Sequence, residues 1–187
     1  FNDVWGYVDS AGKEYAIFGS ISGTYFVDVS NPANPVEVQY FSGGGTGVWR
    51  DFKTYKHYAY GIADVTAGNT LQIFDLQYLP DSVVKIYDDN QFSSNAHNLH
   101  INNDRLYLIS NSRGNSYYPL DILCIEDPEN PYLIGGIRNG VNVSGNYTTI
   151  TQSMLEIVSN NKKFNQGCTK KSNNSNAYVC TYKDDTE

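Results

Sequence analysis

The sequence predicts an all-β protein built from a four-stranded unit that recurs about every 48 residues. Three observations lead to this prediction: the composition, the short apolar runs and the repetition of one phrase. The 187 residues include 16 Tyr, 8 Phe and 16 Gly, which suit half-buried strands and the turns between them. Gly, Asn, Asp and Pro separate the apolar runs, and a helical period fits only residues 151–159.

The repeated phrase is an apolar strand that runs into a proline-containing turn. It reads GTYFVDVSNPANP at 23–35, NTLQIFDLQYLPD at 69–81 and YPLDILCIEDPENP at 118–131. Alignment of the three copies places Asp28, Asp75 and Cys124 in register, at spacings of 47 and 49 residues. Proline fixes φ and is tolerated before an edge strand, so we interpret the phrase as a device of the fold and not as an active site.

Three further strands complete each unit. The predicted first strands are 3–8, 51–55 and 98–102, the second strands are 13–19, 56–62 and 104–110, and the fourth strands are 36–41, 82–88 and 132–137. Four short strands at this period are the signature of an antiparallel β-propeller blade. We therefore predict blades at about 1–43, 44–90 and 91–140, and an incomplete fourth blade with a polar insertion at about 141–187. Because propellers close with roughly four to eight blades, we expect the sequence to be a piece of a longer propeller.

Charge and hydropathy exclude several classes of partner. The net charge of −7 argues against nucleic acid or an anionic membrane as the main partner. No apolar run is long enough to span a membrane, so no transmembrane segment is predicted in this chain. The sequence therefore favours a protein or glycan surface, or further copies of itself, as the partner.

Cysteine and asparagine positions give two more expectations. Cys168 and Cys180 lie in a polar region and are disulfide candidates, whereas Cys124 is expected to be a small buried hydrophobic residue. The glycosylation candidates are the three sequon residues Asn142, Asn146 and Asn173. They occur about as often as chance predicts, so they are compatible with an extracellular glycoprotein without establishing one.

Several phrases occur in order along the chain: DVWGY, GKEYAIFG, GTYFVDVSNPANP, WRDFKTYKHYAY, LQIFDL and AHNLHIN. Together they resemble the choice-of-anchor B proteins, a family of secreted or surface proteins built of LVIVD-type propeller repeats. The resemblance runs from Asp3 to about Ile137 and weakly beyond, and it implies an extracellular or cell-surface propeller tethered by a variable anchor. It implies no established activity. The chain departs from the family pattern at 148–150, which reads Thr-Thr-Ile where Thr-His-Asp is typical, and at Cys124, where other repeats carry Asp.

The innermost strands of a propeller line its channel, so the polar residues that open them ring one mouth. These residues are Asp3, Arg50, Asp51, His97 and Asn98. Such a ring is able to hold a hard cation, for example Ca²⁺, or to polarise a substrate. The positions repeat with the blades, however, so we favour a structural role in which they bond to neighbouring backbone N–H groups and lock the blades together.

No pattern in the sequence specifies catalysis, so we predict no catalytic residue, metal site or cofactor. His97 and His100 are three residues apart on a predicted strand and point to opposite faces, which argues against a shared metal ion. A nucleophile motif of the GxSxG type is absent. The Gly-rich segment 42–49 lacks the Lys-Ser/Thr of a phosphate-binding loop.

Aromatic and basic residues in loops are the remaining binding candidates. Arg113, Tyr117 and Tyr118 lie in a loop between two strands of the third blade and are the best surface anchors. Trp5 and Trp49 are expected to pack between blades, with exposed sugar-stacking platforms as the alternative. Together these features predict a non-enzymatic scaffold, adhesion or binding module; the alternative is an envelope metal-dependent hydrolase or lyase at the channel mouth.

Overall fold

A computed structural model describes residues 3–43, 47–64 and 70–138, and the short strand segments 141–142, 168–170 and 178–180. These residues form strands and turns without any helix, which confirms the all-β prediction. Accordingly, the described part of the chain holds no helix that is long and apolar enough to cross a bilayer. The possible helical period at 151–159 lies outside it.

Twelve strands form three antiparallel sheets that follow one another along the chain. The first sheet contains β1 (Val4–Val8), β2 (Glu14–Gly19), β3 (Gly23–Asp28) and β4 (Val36–Ser42). The second contains β5 (Arg50–Tyr55), β6 (Tyr58–Ala63), β7 (Leu71–Asp75) and β8 (Val84–Asp89). The third contains β9 (Asn98–Asn102), β10 (Arg105–Arg113), β11 (Ser116–Cys124) and β12 (Tyr132–Arg138). Within each sheet, every strand pairs with the next strand in the chain, which is a simple meander.

Three shorter strands follow the third sheet. β13 (Val141–Asn142) pairs with β12 as a fifth strand. β14 (Cys168–Lys170) and β15 (Tyr178–Cys180) form a separate antiparallel pair in which Cys168 stands opposite Cys180. Only the backbone of these strands is described, and the rest of the predicted fourth blade lies outside the described residues.

A β-bulge recurs at one position of all three sheets, between the third and fourth strands. The register shifts between Phe26 and Val27 in the first sheet, between Ile73 and Phe74 in the second, and between Ile122 and Leu123 in the third. The three bulges are 47 and 49 residues apart, the same spacings as the repeated phrase. Bulges increase the local twist of a sheet, so each unit is twisted at the same place.

Apolar faces of successive sheets pack on one another and form the core. Each sheet has a trailing face, turned toward the next sheet, and a leading face, turned toward the previous one. Ile17 and Phe26 of the first trailing face pack with Phe52, Ala59 and Phe74 of the second leading face. A second core of the same type joins the trailing face of the second sheet to the leading face of the third. Strand alternation in the sequence therefore builds two equivalent interfaces.

The leading face of the first sheet has no partner sheet among the described residues. Val4 and Val8 are mostly exposed on it, at 63% and 59%. Phe18, Tyr25 and Tyr40 form a row of contacting rings, with centroids 5.2 Å and 4.6 Å apart. This face has the apolar composition of the buried leading faces, and no sheet of the described residues packs on it.

Candidate functional site

The five channel-mouth candidates lie at the starts of the first strands of the three sheets. Asp3 precedes β1, Arg50 and Asp51 open β5, and His97 and Asn98 stand at the beginning of β9. The strand register makes Asp3, Asp51 and Asn98 equivalent positions of the repeat. The structure thus places these residues at one end of the three sheets, but their side chains make different contacts.

The two aspartates tie the first strands of successive sheets together. Oδ2 of Asp3 accepts the backbone N–H of Phe52 at 3.0 Å, and Oδ2 of Asp51 accepts the N–H of Leu99 at 2.7 Å. Both bonds join a repeat position to the equivalent donor of the next sheet. We call this repeated contact the aspartate strap. It has the form expected for a structural role of the mouth residues.

Beside the strap, Asp51 takes part in a small polar cluster. Its Oδ1 accepts a hydrogen bond from Lys53 Nζ at 2.6 Å, and Lys53 also donates to the Phe52 carbonyl oxygen at 2.8 Å. The ammonium lies 4.4 Å above the centroid of the Trp5 ring, a cation–π geometry. Trp5 Nε1 donates to Thr54 Oγ1 at 2.9 Å, so Trp5 is packed between sheets as predicted.

Burial is the main influence on the Asp51 carboxyl. Burial raises the pKa of Asp51, and the neighbouring Asp3 carboxyl raises it further, while the Leu99 N–H and the Lys53 ammonium act in the opposite direction. Close carboxyl pairs with raised pKa values occur at catalytic and cation sites and also in structural networks. Here both oxygens of Asp51 already have protein donors.

The Arg50 side chain makes its contacts inside the protein. The side chain is buried, and it donates from Nε to the Ser20 carbonyl oxygen and from Nη2 to that of Gly43, each at 2.8 Å. Gly19 packs directly against it, since a Cβ at Gly19 would lie 2.7 Å from Arg50 Cδ. Arg50 therefore joins the first sheet to the start of the second.

His97 makes a contact that sequence reasoning missed. Its Nδ1 lies 2.6 Å from Oδ2 of Asp64, and the backbone N–H of Asp64 donates to the Trp49 carbonyl oxygen at 2.8 Å. Trp49 is 58% exposed, so the prediction that it packs between sheets is wrong. It precedes the first paired residue of β5, and therefore stands outside the sheet interface. We call Trp49, Asp64 and His97 the Trp49 patch.

The prediction of a loop at 111–118 is wrong, because Arg113 ends β10 and Tyr117 and Tyr118 lie within β11, which pairs with it in a hairpin. The prediction of Tyr118 as a surface anchor is also wrong, as its burial shows. Tyr117 is about half exposed, and its hydroxyl contacts Ser110 Oγ at 3.1 Å. Tyr118 is buried, and the Arg113 guanidinium carbon lies 4.0 Å from its ring centroid. Of the three predicted surface anchors, Tyr117 presents the largest free surface.

Arg113 is held by an internal carboxylate, Asp121, that was not predicted as a site residue. Arg113 Nε and Asn111 Nδ2 both donate to Asp121 Oδ2 at 2.8 Å, and Asn111 also donates to the Phe92 carbonyl oxygen. Asp121 has no exposed surface, and burial raises its pKa to about 6. The available sequence signal was a charged residue within an otherwise apolar strand.

A second group of polar side chains surrounds the buried Cys124. Ligand atoms of Asp104, Cys124 and Glu126 lie within 4.8 Å of one another. Arg105 Nη1 stands 2.5 Å from Asp104 Oδ1 and donates to Cys124 Sγ at 3.8 Å. A guanidinium therefore already balances the negative charge of this group. The burial of Cys124 is as predicted.

The remaining sequence candidates belong to the fourth unit. Asn146 and Asn173 lie outside the described residues, and only backbone is described for Asn142, Cys168 and Cys180. Glycosylation and the disulfide therefore stay predictions.

The two tryptophans should differ in their effect on stability. We expect Trp5→Phe to lower the free energy of unfolding by about 1 kcal/mol, because the bond to Thr54 and the contact with Lys53 are weakened. Trp49→Ala should change it by less than about 0.5 kcal/mol, as is usual for exposed residues. Urea denaturation followed by circular dichroism measures both, and a larger loss for Trp49→Ala would contradict this assignment.

One segment of the first sheet resembles a known repeat. Residues 21–42 match the LVIVD repeat. The match spans β3, the proline turn and β4. Within it Asp28 accepts the N–H of Ser30 at 2.9 Å, and the equivalent Asp75 accepts that of Gln77 at the same distance, so the repeated aspartate begins the turn. No curated protein sequence gives a significant match to the chain.

Proposed function

We propose that the three sheets are blades of a choice-of-anchor B type β-propeller that acts outside the cell as a non-enzymatic scaffold, adhesion or binding module. The aspartate strap carries this proposal. The residues that most resemble a catalytic ring, Asp3 and Asp51, are used to hold neighbouring sheets together. Exposed aromatic and polar side chains lie instead at the strand ends and loops around them.

The packing of the sheets supports the propeller part of the proposal. Successive sheets meet through equivalent faces, and each pair is joined by the same strap. A set of units stacked in this way buries every apolar face only when it closes on itself. The open leading face of the first sheet, with Val4 and Val8 exposed, agrees with a further blade in the complete propeller.

The alternative function is an envelope metal-dependent hydrolase or lyase that uses Asp3, Asp51 and His97. The closeness of the two carboxyls and the raised pKa of Asp51 favour it. Two contacts oppose it. Lys53 already neutralises Asp51, and His97 is paired with Asp64 rather than with either carboxylate.

A paired experiment separates the two functions. Purified chain is tested for turnover of chromogenic esters, phosphates and glycosides with Ca²⁺, Mn²⁺ or Zn²⁺, and for binding to immobilised polysaccharides, extracellular proteins and the chain itself. We expect saturable binding to at least one surface and no turnover. Metal-dependent turnover that is lost in Asp51→Asn would establish the enzyme, and binding to none of the surfaces would remove the proposed function.

A further inference from the structure

We infer that the Trp49 patch is a binding site for neutral carbohydrate. This inference rests on the proposed binding function and names the ligand class of one surface. Trp49 and His97 are both largely exposed, and Asp64 joins them through its backbone and its carboxylate. Trp49 immediately precedes β5, Asp64 immediately follows β6 and His97 immediately precedes β9, so segments of two sheets contribute to the patch.

Each member of the patch offers an atom that is free to bind a ligand. The indole Nε1 of Trp49, Oδ1 of Asp64 and Nε2 of His97 have no hydrogen-bond partner within the described ranges. The contrast with Trp5 is direct, because the Nε1 of that residue bonds to Thr54. The bond between His97 Nδ1 and Asp64 holds the imidazole in place.

These atoms match the chemistry of a sugar ring. One face of a pyranose consists of C–H groups that pack on an indole, and its hydroxyls both donate and accept hydrogen bonds. The Asp64 carboxylate and the His97 imidazole, which are hydrogen-bonded to each other, offer acceptor and donor atoms to such hydroxyls. An anionic ligand would be repelled by Asp64 and by the net charge of −7. Val48 next to Trp49, and Ile109, whose carbonyl oxygen accepts the His97 N–H, are also partly exposed, so a protein is the competing partner that the experiment below distinguishes from a sugar.

The chain contains only two tryptophans, which gives a direct measurement. In Trp5→Phe the sole tryptophan fluorescence comes from Trp49. We titrate this variant with cellohexaose, chitohexaose and maltohexaose, and with a hyaluronan hexasaccharide as the anionic comparison. We expect a saturable change in emission with at least one neutral sugar, with a Kd on the order of 0.1–1 mM, and no change with hyaluronan.

Substitutions then locate the site. Binding to Trp49→Ala, which lacks the fluorescent residue of the patch, is measured by calorimetry. Trp49→Ala should weaken binding at least about tenfold, and His97→Ala and Asp64→Asn roughly threefold to tenfold. Tyr78→Ala is the matched control, because Tyr78 is an exposed aromatic residue at the opposite end of the second sheet. The Tyr78→Ala variant should bind the neutral sugar with the same affinity as the unsubstituted chain.

Two results would overturn the inference. One is the absence of saturable binding to every neutral sugar, and the other is binding that Trp49→Ala leaves unchanged. If the chain then still binds an immobilised protein or itself, the carbohydrate assignment fails while the proposed binding function stands. If it binds no surface at all, both fail.

Discussion

Replacement of Asp51 by alanine is expected to lower the free energy of unfolding by about 3 kcal/mol. The substitution leaves the Leu99 N–H without its acceptor and the Lys53 ammonium without its carboxylate. Both losses fall at the junction of the second and third sheets, where Asp51 is almost completely buried. Chemical denaturation of the purified variant measures the change.

Asp3→Ala provides the matched comparison at the junction of the first and second sheets. Asp3 makes the same bond to the first strand of the next sheet but is less buried, so we expect a loss of about 1 kcal/mol. Asp51→Asn should fall between the two, because an amide oxygen still accepts the Leu99 N–H. A loss below about 0.5 kcal/mol for Asp51→Ala would show that the strap does not stabilise the fold.

The stability of the chain should also depend on pH through Asp121. Burial raises the pKa of this carboxyl in the folded state to about 6, above its ordinary value of 3.8. The folded state therefore favours the protonated form, and the stabilising contribution of Asp121 is fully present below pH 3.8 and is lost as the pH rises through 6. The shift corresponds to at most about 3 kcal/mol.

Comparison with Asp121→Asn isolates this effect from other titrating groups. The amide retains an oxygen for Asn111 and Arg113 but does not ionise. We expect the unfolding free energy of the unsubstituted chain, relative to the variant, to fall between pH 4 and pH 7. Parallel denaturation curves at these two pH values test it. A difference that rises with pH would mean that the ion pair with Arg113 outweighs the cost of burial.

The repeat could be predicted from the sequence because it is written in local patterns. Alternating apolar residues and proline turns specify strands such as β3, and the register of Asp28, Asp75 and Cys124 recurs in the structure. These features depend on neighbours in the chain and on strand geometry. The strands and their repeat can therefore be predicted without knowledge of the loop conformations.

The contacts of the candidate site were less predictable because they join distant loops. Asp64 meets His97 across 33 residues, between the end of β6 and the start of β9. Trp49 is exposed and stands one residue before β5, and sequence patterns do not locate the start of a strand to within one residue. In the same way, the alternation of the strand alone does not reveal that Asp121 holds Arg113.

The direction of the aspartate strap has a consequence for synthesis of the chain. In both junctions the carboxylate belongs to the earlier sheet and the N–H donor to the later one. The acceptor is thus in place before the strand that donates to it has left the ribosome. Each sheet is a local meander whose strands pair without long loops, so this order allows a later sheet to dock on an earlier one. The order of the strap along the chain allows the sheets to assemble in the order in which they are made.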